Sequence, residues 1–222
     1  MRLIAFDTAT EWCTAALWQD GRVTYREVHA GQRHSDLLVP MIQDLLAEAG
    51  LGLRDLDGLA YGMGPGSFTG LRIACGVAQG LALGADLPVL GVSTLETLAA
   101  EALAAQGAEQ VMACLDARMQ EVYVGLYRFE GGAWLCASGP RVCPPEQTPR
   151  PEGGLWTGIG SGFAAYPALA DRVGRCLPAG IPHARSLVAL AAPRFSRGEG
   201  VPAEQAEPLY IRDKVALKIC ER

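Results

Sequence analysis

An internal repeat limits the architecture first. The apolar run Leu3-Ile4-Ala5-Phe6 ends in Asp7-Thr8-Ala9-Thr10-Glu11, and two strand-like runs follow, Cys13 to Trp18 and Val23 to Val28, around an Asp20-Gly21 hairpin turn. The same order returns later: Val111 to Leu115 ends in Asp116-Ala117-Arg118, Glu121 to Phe129 reads as a strand, and Glu130-Gly131 makes the next turn. From Asp7 to Leu17 the copies align without a gap at an offset of 109. A second echo, at an offset of 96, carries Gly58-Leu59, Gly62 and Gly64-Pro65-Gly66 onto Gly154-Leu155, Gly158 and Gly160-Ser161-Gly162. Two echoes in one order point to a duplicated unit; chance likeness between Gly-rich turns is the alternative. Each half is expected to hold a three-stranded meander, a helix, a strand and another helix, an α/β architecture with mixed sheets. Over 222 residues this predicts two domains, 1–106 and 107–222, joined near Gln106-Gly107 after a helical Leu95 to Ala105.

The stretch from Gly58 to Arg72 joins a strand to a helix through glycines at 62, 64, 66 and 70. Such a turn permits close backbone approach, and the free N–H groups of the following helix point into it, so it can hold an anion or simply be tight. Its spacing excludes the familiar phosphate loops. Gly70-Leu71-Arg72 stands where a Walker-type loop needs Gly-Lys-Ser/Thr, and the dinucleotide fingerprint is missed by one residue. Ser67 lies in Gly-Ser-Phe-Thr-Gly, not in the Gly-x-Ser-x-Gly elbow of a serine hydrolase.

Two helices flank this turn. Ser35 or Asp36 is placed to cap the first, whose stripe is Leu38, Met41, Ile42, Leu45, Leu46 and Ala49, with Pro40 awkward near its start. The second, Leu71 to Ala85, carries Gly76, Gly80 and Gly84 at every fourth position and Ala74, Ala78 and Ala82 on the neighbouring row. Each glycine costs about 1 kcal/mol against Ala in a helix, so close packing must offset it, either on the chain's own sheet or on a helix of another chain. Further on, Pro140 to Gly154 reads as a loop, Arg185 to Phe195 as a helix interrupted near Pro193, and Gly198 to Pro208 as an irregular connection before a locally basic tail from Tyr210.

A net charge of -5 argues against avid nucleic-acid binding by the chain alone, since such affinity rests on clustered Lys and Arg. Leu3 to Phe6 is too short for a secretory core and no run of about 18 uninterrupted apolar residues occurs, so a cytoplasmic protein without a membrane segment is expected. Seven scattered cysteines without a Cys-x-x-Cys pair suit reduced thiols. The repeated strand-end acids Asp7 and Asp116 could flank a magnesium nucleotide in a cleft between the halves; candidate nucleotide contacts are Asp7, Thr8, Thr10, Gly64, Gly66 and Ser67. His29, His34 and His183 have no metal-ligand spacing and read as surface or capping residues.

Phe6-Asp7-Thr8-Ala9-Thr10, Arg33-His34-Ser35, Gly64 through Arg72, Gly91-Val92-Ser93-Thr94-Leu95, Asp116-Ala117-Arg118 and Pro208-Leu209-Tyr210-Ile211-Arg212 together resemble the bacterial TsaB family, formerly YeaZ, over nearly the whole chain. The resemblance implies the actin-like, Hsp70 and sugar-kinase fold of two ribonuclease-H-like subdomains. It further implies a part in making N6-threonylcarbamoyladenosine at position 37 of tRNAs that read codons starting with A. In that system the catalytic paralogue TsaD transfers the threonylcarbamoyl group, TsaB is its non-catalytic partner, and the ATPase TsaE joins them. The paralogue's His-x-x-x-His metal ligands align with Thr94 and Leu98, so neither imidazole is present. The resemblance implies docking through the two helices at about 35–49 and 70–85, here Leu38, Met41, Ile42, Leu45, Leu71, Ala74, Gly76, Ala78, Gly80 and Gly84, on TsaD or on a second copy when the chain is alone. No cofactor of its own is implied, ATP or ADP being met only at the shared interface, and tRNA only through the complex. The rivals are an ATPase or small-molecule kinase using Asp7, and a peptidase using Ser67, which the elbow spacing disfavours.

Overall fold

A computed structural model describes residues 1–212; most of the basic tail and Cys220 fall outside the described residues. The first sheet is built from β1 (Arg2–Asp7), β2 (Trp12–Gln19), β3 (Arg22–His29), β4 (Gly58–Gly64) and β5 (Val89–Ser93) in the order β3-β2-β1-β4-β5. The second comes from β6 (Gln110–Asp116), β7 (Val122–Glu130), β8 (Ala133–Cys143), β9 (Thr157–Ile159) and β10 (Arg175–Leu177) in the order β10-β9-β6-β7-β8. Read from the meander inward, the orders are the same: three antiparallel strands, then two parallel ones. The helices are α1 (His34–Glu48), α2 (Phe68–Ala85), α3 (Thr94–Gln106), α4 (Ser161–Ala165) and α5 (Ala184–Ser196).

The period of two along each strand sets what covers each face. Ile4 and Phe6 of β1, with Leu59 and Tyr61 of β4, meet α1 and α2; Leu3, Ala5 and Ala60 meet α5. In the second sheet Val111, Ala113 and Leu115 meet α3, while Met112 and Cys114 pack with Phe163 of α4. The helices are therefore exchanged. α3 follows the last strand of the first sheet yet lies on the second, and α5 follows the last strand of the second yet lies on the first. The two helices are tied where they meet: the buried Glu101 accepts hydrogen bonds from Ser186 Oγ at 2.6 Å and from the Arg185 guanidinium. Burial works against the Glu101 charge, but these donors hold its carboxyl below the usual range.

The repeat is real in topology and unequal in detail. Asp7 faces Thr14, so the repeat puts Asp116 opposite Tyr123; it faces Val122 instead, one residue short. The shorter turn is closed by Arg118, Met119 and Gln120, three consecutive non-glycine residues at φ near +60°. The helix expected after the second meander is a single short turn at Pro145–Gln147, and α4 has five residues where α2 has 18. Pro140, expected in a loop, lies within β8, an edge strand whose pairing shifts register beside it, where a missing N–H does no harm. α1 starts at His34 without a side-chain cap, so neither Ser35 nor Asp36 caps it, and it runs through the exposed Pro40; α5 likewise runs through Pro193.

After α5 the chain returns across the first lobe as a strap. Val201 pairs with Val89, and Ala203 and Ala206 enter the core beneath α2. Gln79 Nε2 donates to Ala206 O at 2.9 Å and the Leu209 amide to Met63 O at 2.7 Å. The strap then reaches the second lobe, where Arg212 donates to Ala117 O at 2.8 Å and pairs with Glu121.

Candidate functional site

The glycines of the β4–α2 turn are explained by the end of β1, which lies directly against them. A β-carbon on Gly62 would fall inside the Asp7 carboxylate, on Gly66 against Ala9 O, and on Gly70 against Thr8 O. The Ser67 amide donates to Ala9 O at 2.7 Å and the Thr8 hydroxyl to Gly70 O at 2.7 Å. Ser67 Oγ accepts from the Gly70 amide and caps α2. Only Gly64, at φ +120°, is also required by its own backbone, and the strap passes over it at Leu209.

The expected nucleotide contacts divide between inside and outside. Asp7, Thr8 and Gly64 are buried; Ser67 is exposed, with Thr10 and Gly66 partly so. Asp7 Oδ1 accepts from the Ala9 amide at 2.8 Å while Oδ2 has no partner among the described residues. Burial pushes the Asp7 carboxyl up to about 7, opposed by the Ala9 hydrogen bond. The Asp7 carboxyl lies buried against the turn glycines instead of opening onto the surface. Its repeat mate Asp116 is only partly buried, pairing with Arg118 at 3.2 Å, and Arg118 crosses to Glu11 of the first lobe at 3.2 Å. The strand-end acids therefore do not form a matched pair across a cleft.

α2 divides its two small-residue rows between inside and outside. Leu71, Ala74, Cys75, Ala78 and Ala82 are buried against β4, the Ala row letting the helix sit low on its own sheet. Beyond the helix's own adjacent backbone, Gly76, Gly80 and Gly84 have no atom of the described residues within 4 Å of where a β-carbon would stand. Leu83 is 78 % exposed beside them, and Phe68 at the head of the helix is 41 % exposed under the Arg72 guanidinium. By length and composition α2 is apolar enough to cross a membrane, with a third of its residues buried in this lobe. Of the expected docking residues, Leu38, Met41, Ile42, Leu45, Leu71, Ala74 and Ala78 are spent in the chain's own core. The outer face of α1 instead carries Pro40, Asp44 and Ala47. Gly76, Gly80 and Gly84 remain outward, and sequence reasoning missed Phe68, Leu83 and the strap residue Tyr210, whose ring lies 5.5 Å from that of Phe68.

The histidines follow the expectation in part. His183 accepts from the Arg185 amide at the head of α5 and meets Glu27 at 2.8 Å; burial, then Arg185, lowers its basicity. His29 is at the surface near Glu11. His34 is neither surface nor cap: it is buried at the start of α1, its Nε2 without a partner among the described residues. Thr94 and Leu98 are both fully buried, and Leu98 packs against the Gly160 turn. Among the described residues no group of three His, Cys, Asp or Glu side chains could hold a metal ion.

Two lobes with sheets of identical strand order, joined by exchanged helices, define a protein of the actin-like fold. A family model described as "TsaD: tRNA N6-adenosine threonylcarbamoyltransferase" matches residues 27–155. The Escherichia coli K12 protein named "tRNA threonylcarbamoyladenosine biosynthesis protein TsaB" is 44% identical across 98% of this chain and 97% of its own length; the Haemophilus influenzae protein of the same name is 37% identical across 98% and 96%. Two solved structures from Pseudomonas aeruginosa, each 44% identical, superpose with TM-scores of 0.91 and 0.90 over 95% and 94% of this chain and 99% of theirs. One is described as "an uncharacterized protein with similarity to peptidase YEAZ" and the other as "YeaZ". The chain belongs to the TsaB family.

Proposed function

We propose that this chain is a non-catalytic scaffold subunit of the assembly that makes N6-threonylcarbamoyladenosine in tRNA, and that it acts by binding a TsaD-type transferase. The observation that carries this reading is the outward row Gly76, Gly80 and Gly84. No packing among the described residues needs these glycines, and alanine at each would favour the helix by about 1 kcal/mol. A helix of another chain laid along the row could approach more closely than side chains allow, with Phe68 and Leu83 as apolar anchors at its ends. A contact of about 800 Å² on each side is the size of a standard stable interface. The same face serves a second copy when the transferase is absent, so homodimer and heterodimer compete.

The lack of transfer chemistry rests on Thr94 and Leu98, a hydroxyl and an aliphatic group at the positions where the paralogue carries imidazoles. A lone nucleotide site is disfavoured because the β1 end occupies the glycine-rich turn; ATP or ADP is met only where the partner completes a site. With a net charge of -5, tRNA is engaged through the complex in the cytoplasm, where a TsaE-type ATPase joins the pair. The test is reconstitution on an unmodified tRNA transcript with the threonylcarbamoyl donor. Transfer should require the TsaD-type protein, rise at least tenfold when this chain is added, and be absent with this chain alone. Transfer or ATP turnover by the lone chain, lost in Asp7→Ala, would establish the enzyme reading in its place.

A further inference from the structure

A cavity of about 670 Å³ opens between the lobes, away from the strand-end turns and from the outer face of α2. Its floor is made where α3 and α5 meet, from Ala100, Leu103, Ala104 and Leu190. One wall belongs to the first sheet through Val23 and Tyr25 of β3; the other is the β7–β8 hairpin of the second, whose Phe129 and Trp134 rings lie 5.3 Å apart. Volume, apolar lining and position between two lobes are those of a small-molecule site.

Its polar groups are unevenly matched. Arg185 is committed to Glu101 and lies over the Tyr25 ring. Arg194 and Arg197, in and just after the last turn of α5, share the single carboxylate of Glu199, each through Nε only, at 2.9 and 2.6 Å. Their terminal amino groups have no hydrogen-bond partner among the described residues, so two guanidinium forks stand at the rim with donors to spare. Glu96 is the one carboxyl in the lining; burial raises its pKa, with Arg194 opposing.

We infer that this cavity binds a small amphipathic anion, with a planar apolar body held between the α3–α5 floor and the Phe129–Trp134 wall and a carboxylate, sulfonate or phosphate group on Arg194 and Arg197. Aromatic walls favour a flat ring, and a fork of free N–H donors favours a planar or tetrahedral oxyanion. An occupant would touch both sheets and both exchanged helices, and so would hold the lobes together.

The probe is 1-anilinonaphthalene-8-sulfonate, titrated into the full chain at low salt and followed by fluorescence. One saturable site is expected, with Kd on the order of 10–100 μM. The surface double substitution Arg194→Gln with Arg197→Gln should weaken binding about tenfold or more, and Ala104→Trp, which fills the floor, should abolish it. Each variant is checked for an unchanged circular-dichroism spectrum. N-phenyl-1-naphthylamine, which lacks the sulfonate, should bind at least tenfold more weakly. No saturable binding by the native chain, equal binding by the double variant and the neutral dye, or undiminished binding by folded Ala104→Trp would each overturn the inference.

Discussion

The Thr8 backbone oxygen occupies the place where a side chain on Gly70 would begin, and the Thr8 hydroxyl donates to Gly70 O at 2.7 Å. Strand β1 and helix α2 thus meet backbone to backbone, and the glycine-rich turn is the seam between them. Its glycines answer to the chain's own packing, whereas those farther along α2 meet no side chain among the described residues.

The contrast can be measured. Gly70→Ala should lower stability by about 3 kcal/mol, because the rigid Thr8 backbone must shift to admit a methyl group. Gly80→Ala, in open space on a helix, should raise the stability of the isolated chain by about 1 kcal/mol. Urea midpoints at constant m-value report both.

Asp7 should give the isolated chain a distinctive pH dependence. Its carboxyl titrates near 7 in the folded protein, against an ordinary value of 3.8. The folded state therefore holds a proton that the unfolded state has released, and the stability this contributes is complete below about pH 4 and lost as pH rises to 7, by up to about 4 kcal/mol. Asp7→Asn lacks this titration. The variant's stability minus that of the native chain should grow steadily from pH 4.5 to 7 and then level off; urea denaturation at four pH values follows it, and a flat difference would mean that Asp7 is charged in the fold.

How far the sequence carried can be judged from particular residues. The Asp7 and Asp116 strand ends and the meanders around them were legible because a strand's period and its turn residues are local. The exchange of α3 and α5 was not, since nothing in Leu95 or Leu187 says which of two similar sheets it will cover. The stripe Leu38, Met41, Ile42 and Leu45 was read correctly as apolar, but periodicity cannot tell a chain's own core from a partner's. It was the small, apparently unhelpful glycines of α2 that faced outward. The strap was missed because Leu209 and Arg212 act through contacts far away in sequence, with no periodic signal.

Arg212 offers a third test. Arg118, Met119 and Gln120 hold left-handed backbone angles at about 1 kcal/mol or more each, and Arg212 ties their turn to the strap through Ala117 O and Glu121. Arg212→Ala should cost about 2 kcal/mol and speed amide exchange in residues 117–121 at least tenfold, with little change in β1 or β4. Arg212→Lys should recover only part of the loss, because an ammonium cannot serve both acceptors in the same plane.

Size-exclusion chromatography with light scattering on this chain, mixed at about 10 μM with the TsaD-type protein of the same organism and run beside Gly80→Leu, tests the scaffold role most directly. A 1:1 complex with the native chain, and separate components with a normally folded Gly80→Leu, is the predicted result. If the native chain fails to bind, the scaffold role is contradicted; if Gly80→Leu binds as well as the native chain does, the outward glycine row is not the docking surface.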